Sequence, residues 1–408
     1  MIRKIIKEGS NHLSLSVIVL GALCFFIANV VLKEKLTQQE YGLYSLVITF
    51  FSMMNLYGLL GLEQVFIRFS DFQQKNKIFT PFFILKLVTI IIVVSSFFGA
   101  LFFIKYASET LRFNFLLVFF ATISIVSLLF IYNVLRLNSD FVLSQVFFNL
   151  WKFFLIILVL LSFIFFKLNI ILFINLLMII IILSFLISFY FCFKRIQFSY
   201  KKNVSRTDII KTSIQFLISI TSFSLLIFGD RFIIEQKFGI EEFGNYFYLT
   251  NFFLAPFSIL QNYIGFKHLI IFKLDFKVSN FNKFNRKIIF FGICLSLSLF
   301  IFLKTVSYYR ILNFDFNHYN LTIILMLIMG IIRLYSSSIT SAFEAKTNVH
   351  TFKKGNIIFI VLSLIIVFVD FIFIDTLELI ISSIILIWLI RSIIFRQLLL
   401  GQINKELK

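Results

Sequence analysis

Apolar segments of about twenty residues follow one another along this chain, separated only by short polar breaks. A helix needs about 20 apolar residues to cross the hydrocarbon core of a bilayer. Twelve stretches meet that requirement: 13–32, 41–62, 79–104, 113–135, 146–166, 168–193, 209–229, 243–264, 288–304, 319–342, 355–374 and 377–400. Lys167 and Asn169 divide the fifth from the sixth, within an apolar run too long for one helix. The chain is 60% hydrophobic and 14% charged, against roughly half and a quarter in a soluble domain. One aqueous core cannot hide that much apolar surface, so the expected solvent is lipid. The predicted fold class is an all-α polytopic membrane protein of about twelve transmembrane helices. The first apolar run follows a basic start and has no small-residue cleavage site, so it reads as a first span rather than a signal peptide.

The net charge of +19 does not point to nucleic acid. With the N-terminus inside, Lys and Arg crowd into 64–78, 194–211 and 265–287, all on the same side of the membrane. That asymmetry orients the chain with both termini cytoplasmic. The partners it implies are the membrane lipids, whose anionic headgroups attract juxtamembrane cations. Cys24, Cys192 and Cys294 lie inside apolar runs, and His12, His268, His318 and His350 are scattered. Neither set has ligand spacing, so no metal site is expected. No phosphate-binding P-loop is present, and ATP hydrolysis is not expected.

A repeat organises the twelve spans. Glu40-Tyr41-Gly42-Leu43-Tyr44 opens the second, and Glu242-Phe243-Gly244-Asn245-Tyr246 opens the eighth, 202 residues later in a chain of 408. Ile5-Ile6-Lys7 and Ile209-Ile210-Lys211 echo one another in the same way. Six spans per repeat is an even number, so both halves share one orientation, as in transporters built from parallel repeats. The implied domains are an N-terminal six-helix bundle (1–193), a basic cytoplasmic linker (194–208) and a C-terminal six-helix bundle (209–408), around a central cavity. The repeated motif has an architectural reading. Gly42 and Gly244 sit where an outer loop turns into a helix. Tyr41, Tyr44, Phe243 and Tyr246 fit an interfacial aromatic belt. Glu40 and Glu242 precede a helix N-terminus, where a carboxylate is favourable.

Lys86, Lys152, Arg333 and Arg391 fall inside expected spans. Each would cost roughly 2.5–3.5 kcal/mol at the bilayer centre. They either line a water-filled cavity, where unpaired cations suit an anion, or snorkel to the headgroups. Arg333 is the deepest and carries the fork that binds phosphate in bidentate fashion. Asp370 is the nearest acid within the spans. Asp230-Arg231 reads as a local ion pair at the interface. Pro256 removes a backbone hydrogen bond from its helix and is expected to kink it.

The stretch from Glu40 to Leu46, with Gly61-Leu62 and Arg68 after it, resembles the multidrug/oligosaccharidyl-lipid/polysaccharide exporter superfamily. The match is to its polysaccharide biosynthesis branch, the O-antigen and exopolysaccharide flippases. Asp230-Arg231 before Phe243-Gly244-Asn245-Tyr246 is similar to that branch's second repeat, and a gate or coupling role for the pair is implied only by that resemblance. The resemblance implies a transporter, not an enzyme. It would flip an undecaprenyl-diphosphate-linked oligosaccharide (an O-antigen or capsule/exopolysaccharide repeat unit) from the cytoplasmic to the periplasmic leaflet of the bacterial inner membrane, by alternating access. A polymerase and a chain-length regulator of the same pathway would be its partners. No cofactor is implied, and coupling to H+ or Na+ stays open. Two alternatives remain: a multidrug or cation exporter, and a membrane polysaccharide polymerase with its chemistry near Arg310, Asp315 and His318.

Overall fold

In lipid, a backbone N–H or C=O without an internal partner costs several kcal/mol, so a spanning chain must be helical or a closed barrel. The computed structural model describes residues 2–62, 65, 81–107, 114–137, 140–165, 169–193 and 206–406, and among them every regular element is a helix. The motif's downstream residues Glu63 and Arg68, and most of the basic linker, lie outside the described residues.

The order is α1 (Ile2–Lys35), α2 (Gln38–Tyr57), α3 (Pro81–Ala107), α4 (Phe115–Leu137), α5 (Phe141–Phe165), α6 (Ile170–Phe193) and α7 (Arg206–Leu249), then a π turn (Thr250–Leu254). After it come α8 (Ala255–Leu274), α9 (Val278–Tyr308), α10 (Asn320–Lys346), α11 (Val349–Phe373) and α12 (Leu377–Glu406). Helix α7 is broken at Gly239, whose φ of 83° and ψ of 175° are not helical. The seventh expected span is therefore 206–238, and the eighth runs from 240 through the π turn into α8.

Pro256 explains the π turn. It is the second residue of α8 and has no N–H to offer the preceding turn. The chain accommodates the lost bond by widening to π geometry over Thr250–Leu254.

Among the described residues, nine helices are long and apolar enough to cross a membrane. The others are α2, α7 and α8, the elements that carry or adjoin the repeated motif. For α2 and for the stretch that opens the second half, the lower hydropathy has a physical reason: protein, not lipid, covers them. Residues 41–51 of α2 and 243–250 of the second half are buried without interruption. The lipid-facing helices show the opposite pattern. Phe98 on α3, Phe290 on α9 and Phe373 on α11 are all largely exposed.

The chain forms two compact units, Met1–Ser224 and Leu225–Lys408. The division falls within α7, beyond the 194–208 linker where the sequence places it. In the first unit α2 is central. Its Phe50 stacks on Phe103 of α3 at 4.4 Å, and its Tyr44 meets Phe173 of α6 edge-on at 6.1 Å. Phe25 of α1 packs on Trp151 of α5 at 5.8 Å. In the second unit α10 is central. Ser337 donates to the Gln261 carbonyl of α8 at 3.1 Å, Ser296 of α9 donates to the Leu327 carbonyl at 3.4 Å, and Phe343 stacks on Phe395 of α12 at 4.4 Å.

The repeated motif starts a helix in each unit, but by a different route from the one expected. Thr37 caps α2, and Glu40, three residues on, closes a capping box: the Glu40 amide donates to Thr37 Oγ1 at 3.3 Å, and the Thr37 amide donates to Glu40 Oε2 at 3.0 Å. The position equivalent to Thr37, 202 residues later, is Gly239, so Glu242 falls on the same third residue. Gly42 and Gly244 are thus inside their helices and buried, not in the turns. The aromatic belt is also corrected. Tyr41, Tyr44, Phe243 and Tyr246 are each fully buried, because the motif helix packs into the middle of its unit instead of meeting the interface.

Gly61 closes the first copy of the motif with a φ of 85°, and a Cβ there would sit 2.7 Å from the Leu217 backbone nitrogen. Backbone cannot step aside as a flexible side chain can. Gly61→Ala is therefore expected to destabilise the protein by about 1–3 kcal/mol. A lowered thermal unfolding midpoint of the purified protein in detergent would show it; an unchanged midpoint would contradict it.

Candidate functional site

Four helical segments of the C-terminal unit bring charged side chains together: the two parts of α7, then α10 and α12. Asp230 is 6% exposed, and burying an unpaired carboxylate would be prohibitive. Its two oxygens are used. Oδ2 accepts from the Tyr246 hydroxyl at 2.5 Å, and Oδ1 accepts from the Arg231 amide at 2.8 Å. Asp230 precedes the break at Gly239 and Tyr246 follows it, so this bond ties the two parts of α7 together. The Arg231 guanidinium packs over Phe228 at 5.3 Å and over Phe247 at 5.4 Å, in the cation–π geometry that suits a weakly hydrated guanidinium.

Arg333 reaches the same group from α10. It lies within electrostatic reach of Asp230, Arg231 and Tyr246, and its guanidinium sits 5.5 Å from the Trp388 ring of α12. Its Nε is buried and meets no hydrogen-bond acceptor among the described residues. One turn earlier, Gly330 lets α8 come close: a Cβ there would fall 2.6 Å from the Phe257 ring.

Trp388 also faces Arg391, at 5.8 Å. Arg391 is 3% exposed. It donates to Thr340 Oγ1 at 2.7 Å and to Ser336 Oγ at 3.4 Å, packs 4.6 Å from the Phe395 ring, and is paired electrostatically with Glu344. Arg333, Ser336, Thr340 and Glu344 recur at helical spacing and share one face of α10. The result is a ladder through the unit: Arg231, Asp230, Arg333, Trp388, Arg391, Glu344. Three guanidinium groups meet two carboxylates, so with all of them ionised one positive charge is in excess.

The sequence names Asp370 as the nearest acid to the buried cations. The structure corrects this: Asp230 and Glu344 are the partners of Arg333 and Arg391. Asp370 is 1% exposed and accepts from the Ser383 hydroxyl of α12, with Lys237 nearby. Lys237 itself donates to the Ile374 carbonyl and to Asp375, the latter at 3.0 Å. Lys86 is exposed on α3. Lys152 donates to Asn149 Oδ1 at 2.8 Å and lies 5.7 Å from the Trp151 ring, all on α5. Glu242 accepts from the Tyr319 hydroxyl at 2.9 Å and from Asn245 at 3.2 Å, joining the start of the motif helix to that of α10. Asp315 accepts from the amides of Asn317 at 3.0 Å and His318 at 3.4 Å, a local turn that accounts for its place near His318.

Two participants escape the sequence. Glu344 lies two residues beyond the expected end of its span, yet α10 runs to Lys346. Its spacing from Arg333 and Thr340 is the signal that would have found it. Tyr246 is part of the motif, but only the break at Gly239 turns its hydroxyl back onto Asp230. Among the described residues no group of His, Cys, Asp and Glu is arranged to hold a metal ion.

No family model matches the chain, and no curated protein does. Solved structures do. A lipid II flippase, MurJ, in an inward closed conformation has a TM-score of 0.64 at 17% identity, over 96% of this chain and 87% of that one. A MOP superfamily transporter from Pyrococcus furiosus has a TM-score of 0.60 at 11% identity, over 97% and 94%. The Vibrio cholerae MATE transporter VcmN has 0.59 at 12%, over 97% of both chains. The chain has the fold of these transporters along nearly its whole length, and it is a multi-pass membrane protein.

The ladder makes the carboxylate at 230 the sensitive point. Asp230→Ala removes the buried counter-charge of the half-buried Arg231 and Arg333, and is expected to cost about 3 kcal/mol, the low end for breaking a buried pair. Tyr246→Phe removes one hydrogen bond to a buried acceptor and is expected to cost about 1–3 kcal/mol. Thermal unfolding of the two purified variants should rank them in that order, both below the parent.

Proposed function

We propose that this protein is a flippase for a polyprenyl-diphosphate-linked oligosaccharide. It would move an undecaprenyl-linked repeat unit of a surface polysaccharide from the cytoplasmic to the periplasmic leaflet of a bacterial inner membrane, by alternating access. The observation that carries the proposal is Arg333: a half-buried arginine whose buried Nε is an unsatisfied donor, in a ladder with one excess positive charge. A diphosphate offers paired oxygen acceptors that the planar guanidinium fork can bind in bidentate fashion. The shared fold with a lipid II flippase supports a lipid-linked substrate of the same chemical kind. An inside-negative potential favours outward movement of negative charge by about 2.3 kcal/mol per charge per 100 mV. The expected orientation, with both termini cytoplasmic, follows from the loop charges.

A second reading, export of an organic cation, is favoured by one observation: Asp230 and Glu344 place two carboxylates in the same unit, and MATE transporters share the fold. Both acids already have partners within the ladder, and the excess charge is positive, so the anionic substrate comes first.

Arg333→Ala is expected to abolish transport while the protein still reaches the membrane. In cells that depend on this transporter, the lipid-linked repeat unit should accumulate in the cytoplasmic leaflet and surface polysaccharide should fall at least tenfold. Arg333→Lys, which keeps the charge but loses the fork, should restore part of it. Full surface polysaccharide in the Arg333→Ala strain would sink the proposal. Arg333-dependent export of a cationic dye, with no change in the lipid-linked unit, would transfer it to the second reading.

A further inference from the structure

Away from the ladder, at the end of the C-terminal unit where α9 begins, a second polar group is left incomplete. Asn285 of α9 is 5% exposed, yet neither its Nδ2 nor its Oδ1 has a partner. Ser338 of α10 is fully buried, and its Oγ has no partner either. The antiparallel register of α9 and α10 brings these two residues to the same level of the helix pair. Ser296 donates to the Leu327 carbonyl, and Gly292 lies against Ile331. Continuing that register by whole turns, 296–327 and 292–331 lead to 285–338.

A guanidinium lies beside them. Arg396 of α12 donates through Nη1 to the Tyr335 hydroxyl at 3.1 Å and through Nη2 to Asn282 Oδ1 at 3.2 Å. Tyr335 is one turn from Ser338 on α10, and Asn282 is one turn from Asn285 on α9, so the fork spans the stretch that holds the incomplete pair. Buried polar groups in folded proteins are nearly always satisfied, and an unsatisfied set calls for a missing partner. Here the set has a cation, amide and hydroxyl donors and one unused amide acceptor. Its complement is an anion that also carries a hydroxyl.

We infer that Arg396, Asn285 and Ser338 form a binding site for a lipid phosphate with an adjacent hydroxyl, separate from the Arg333 ladder. Two sources share that chemistry: a polyol phosphate headgroup, as in phosphatidylglycerol, and the sugar-bearing diphosphate of a polyprenyl-linked substrate. Arg396 supplies the charge, oriented by Tyr335 and Asn282. Asn285 donates to a phosphate oxygen and accepts from the hydroxyl, and Ser338 donates beside it. The exposed cations Lys283, Arg286 and Lys287 on the same stretch of α9 raise the local concentration of either anion.

The test is equilibrium binding to the purified full-length protein in neutral detergent, followed by native mass spectrometry. The probes are phosphatidylglycerol, a sugar-linked short polyprenyl diphosphate, and phosphatidylcholine as the control. At least one anionic probe should bind saturably, and Arg396→Gln and Asn285→Leu should each weaken it about tenfold. Asn285→Leu should at the same time raise or preserve the thermal midpoint, because an apolar group replaces an unsatisfied amide. Loss confined to phosphatidylglycerol identifies a headgroup site; loss confined to the diphosphate identifies a substrate site. The inference is overturned if no anionic probe binds above phosphatidylcholine, or if binding is unchanged in both variants. Transport is not measured, so failure here leaves the role of Arg333 standing, and failure of Arg333→Ala leaves this site standing.

Discussion

Charge buried without water must find its counter-charge inside the protein, and the C-terminal unit is arranged around that constraint. Asp230 is the pivot. It sits before the break at Gly239, its hydroxyl partner Tyr246 sits after it, and Arg333 approaches from α10. If Gly239 continued the helix, Tyr246 would be carried sixteen residues up one straight rod, roughly 24 Å from Asp230 at 1.5 Å per residue. The break folds the rod back and makes the contact available. The backbone irregularity and the buried acid therefore depend on each other.

The same logic explains which helices can afford to be less apolar. A span facing lipid must be apolar around most of its circumference, as α3, α9 and α11 are. A span in the middle of its unit is judged by its neighbours. Helix α2 can carry Tyr41, Tyr44, Ser45 and Thr49 because each is covered by protein, and Ser45 returns its hydroxyl to the Tyr41 carbonyl at 2.7 Å. The eighth span can carry the π turn of Thr250–Leu254 for the same reason: irregular backbone at membrane depth is tolerated where protein surrounds it.

Fold class was legible from the sequence because hydropathy over twenty residues reports one thing, the solvent of a helix. The repeat was legible because its offset is close to half the chain. The position of the motif in its helix was less so. Glu40 reads equally well as a residue before a helix or as the third residue within one, and Thr37 decides it only if the Thr-x-x-Glu capping box is recognised. The aromatic residues misled for a related reason. An aromatic belt and a buried aromatic face have the same composition, and the distinction lies in what packs against them. Partners of the buried cations were the least legible. Asp230 was visible as an acid next to an arginine, but its pairing with Tyr246 crosses a break that no residue type announces unambiguously. Glu344 lies beyond the apolar stretch that ends at 342, and its face of α10 is defined only because the helix continues to Lys346.

Stability alone does not account for the ladder. Replacing a buried ion pair by well-packed apolar residues is often neutral or favourable, and an all-apolar interior joining α7, α10 and α12 would satisfy the bilayer equally well. Three guanidinium groups against two carboxylates is also not the arrangement that minimises buried charge; one arginine fewer would. The aromatic surroundings soften the cost, since Trp388, Phe395, Phe228 and Phe247 present ring faces to the cations without neutralising them. A ring face holds a guanidinium in place and leaves its N–H edge free to donate. Arg333, held over Trp388 with its Nε unsatisfied, is on that ground the arginine to which the proposed ligand contact is given. The physical difference between it and Arg391 lies at the terminal nitrogens: Arg391 Nη1 is spent on Thr340 and Ser336, whereas the Arg333 guanidinium makes no such bond among the described residues.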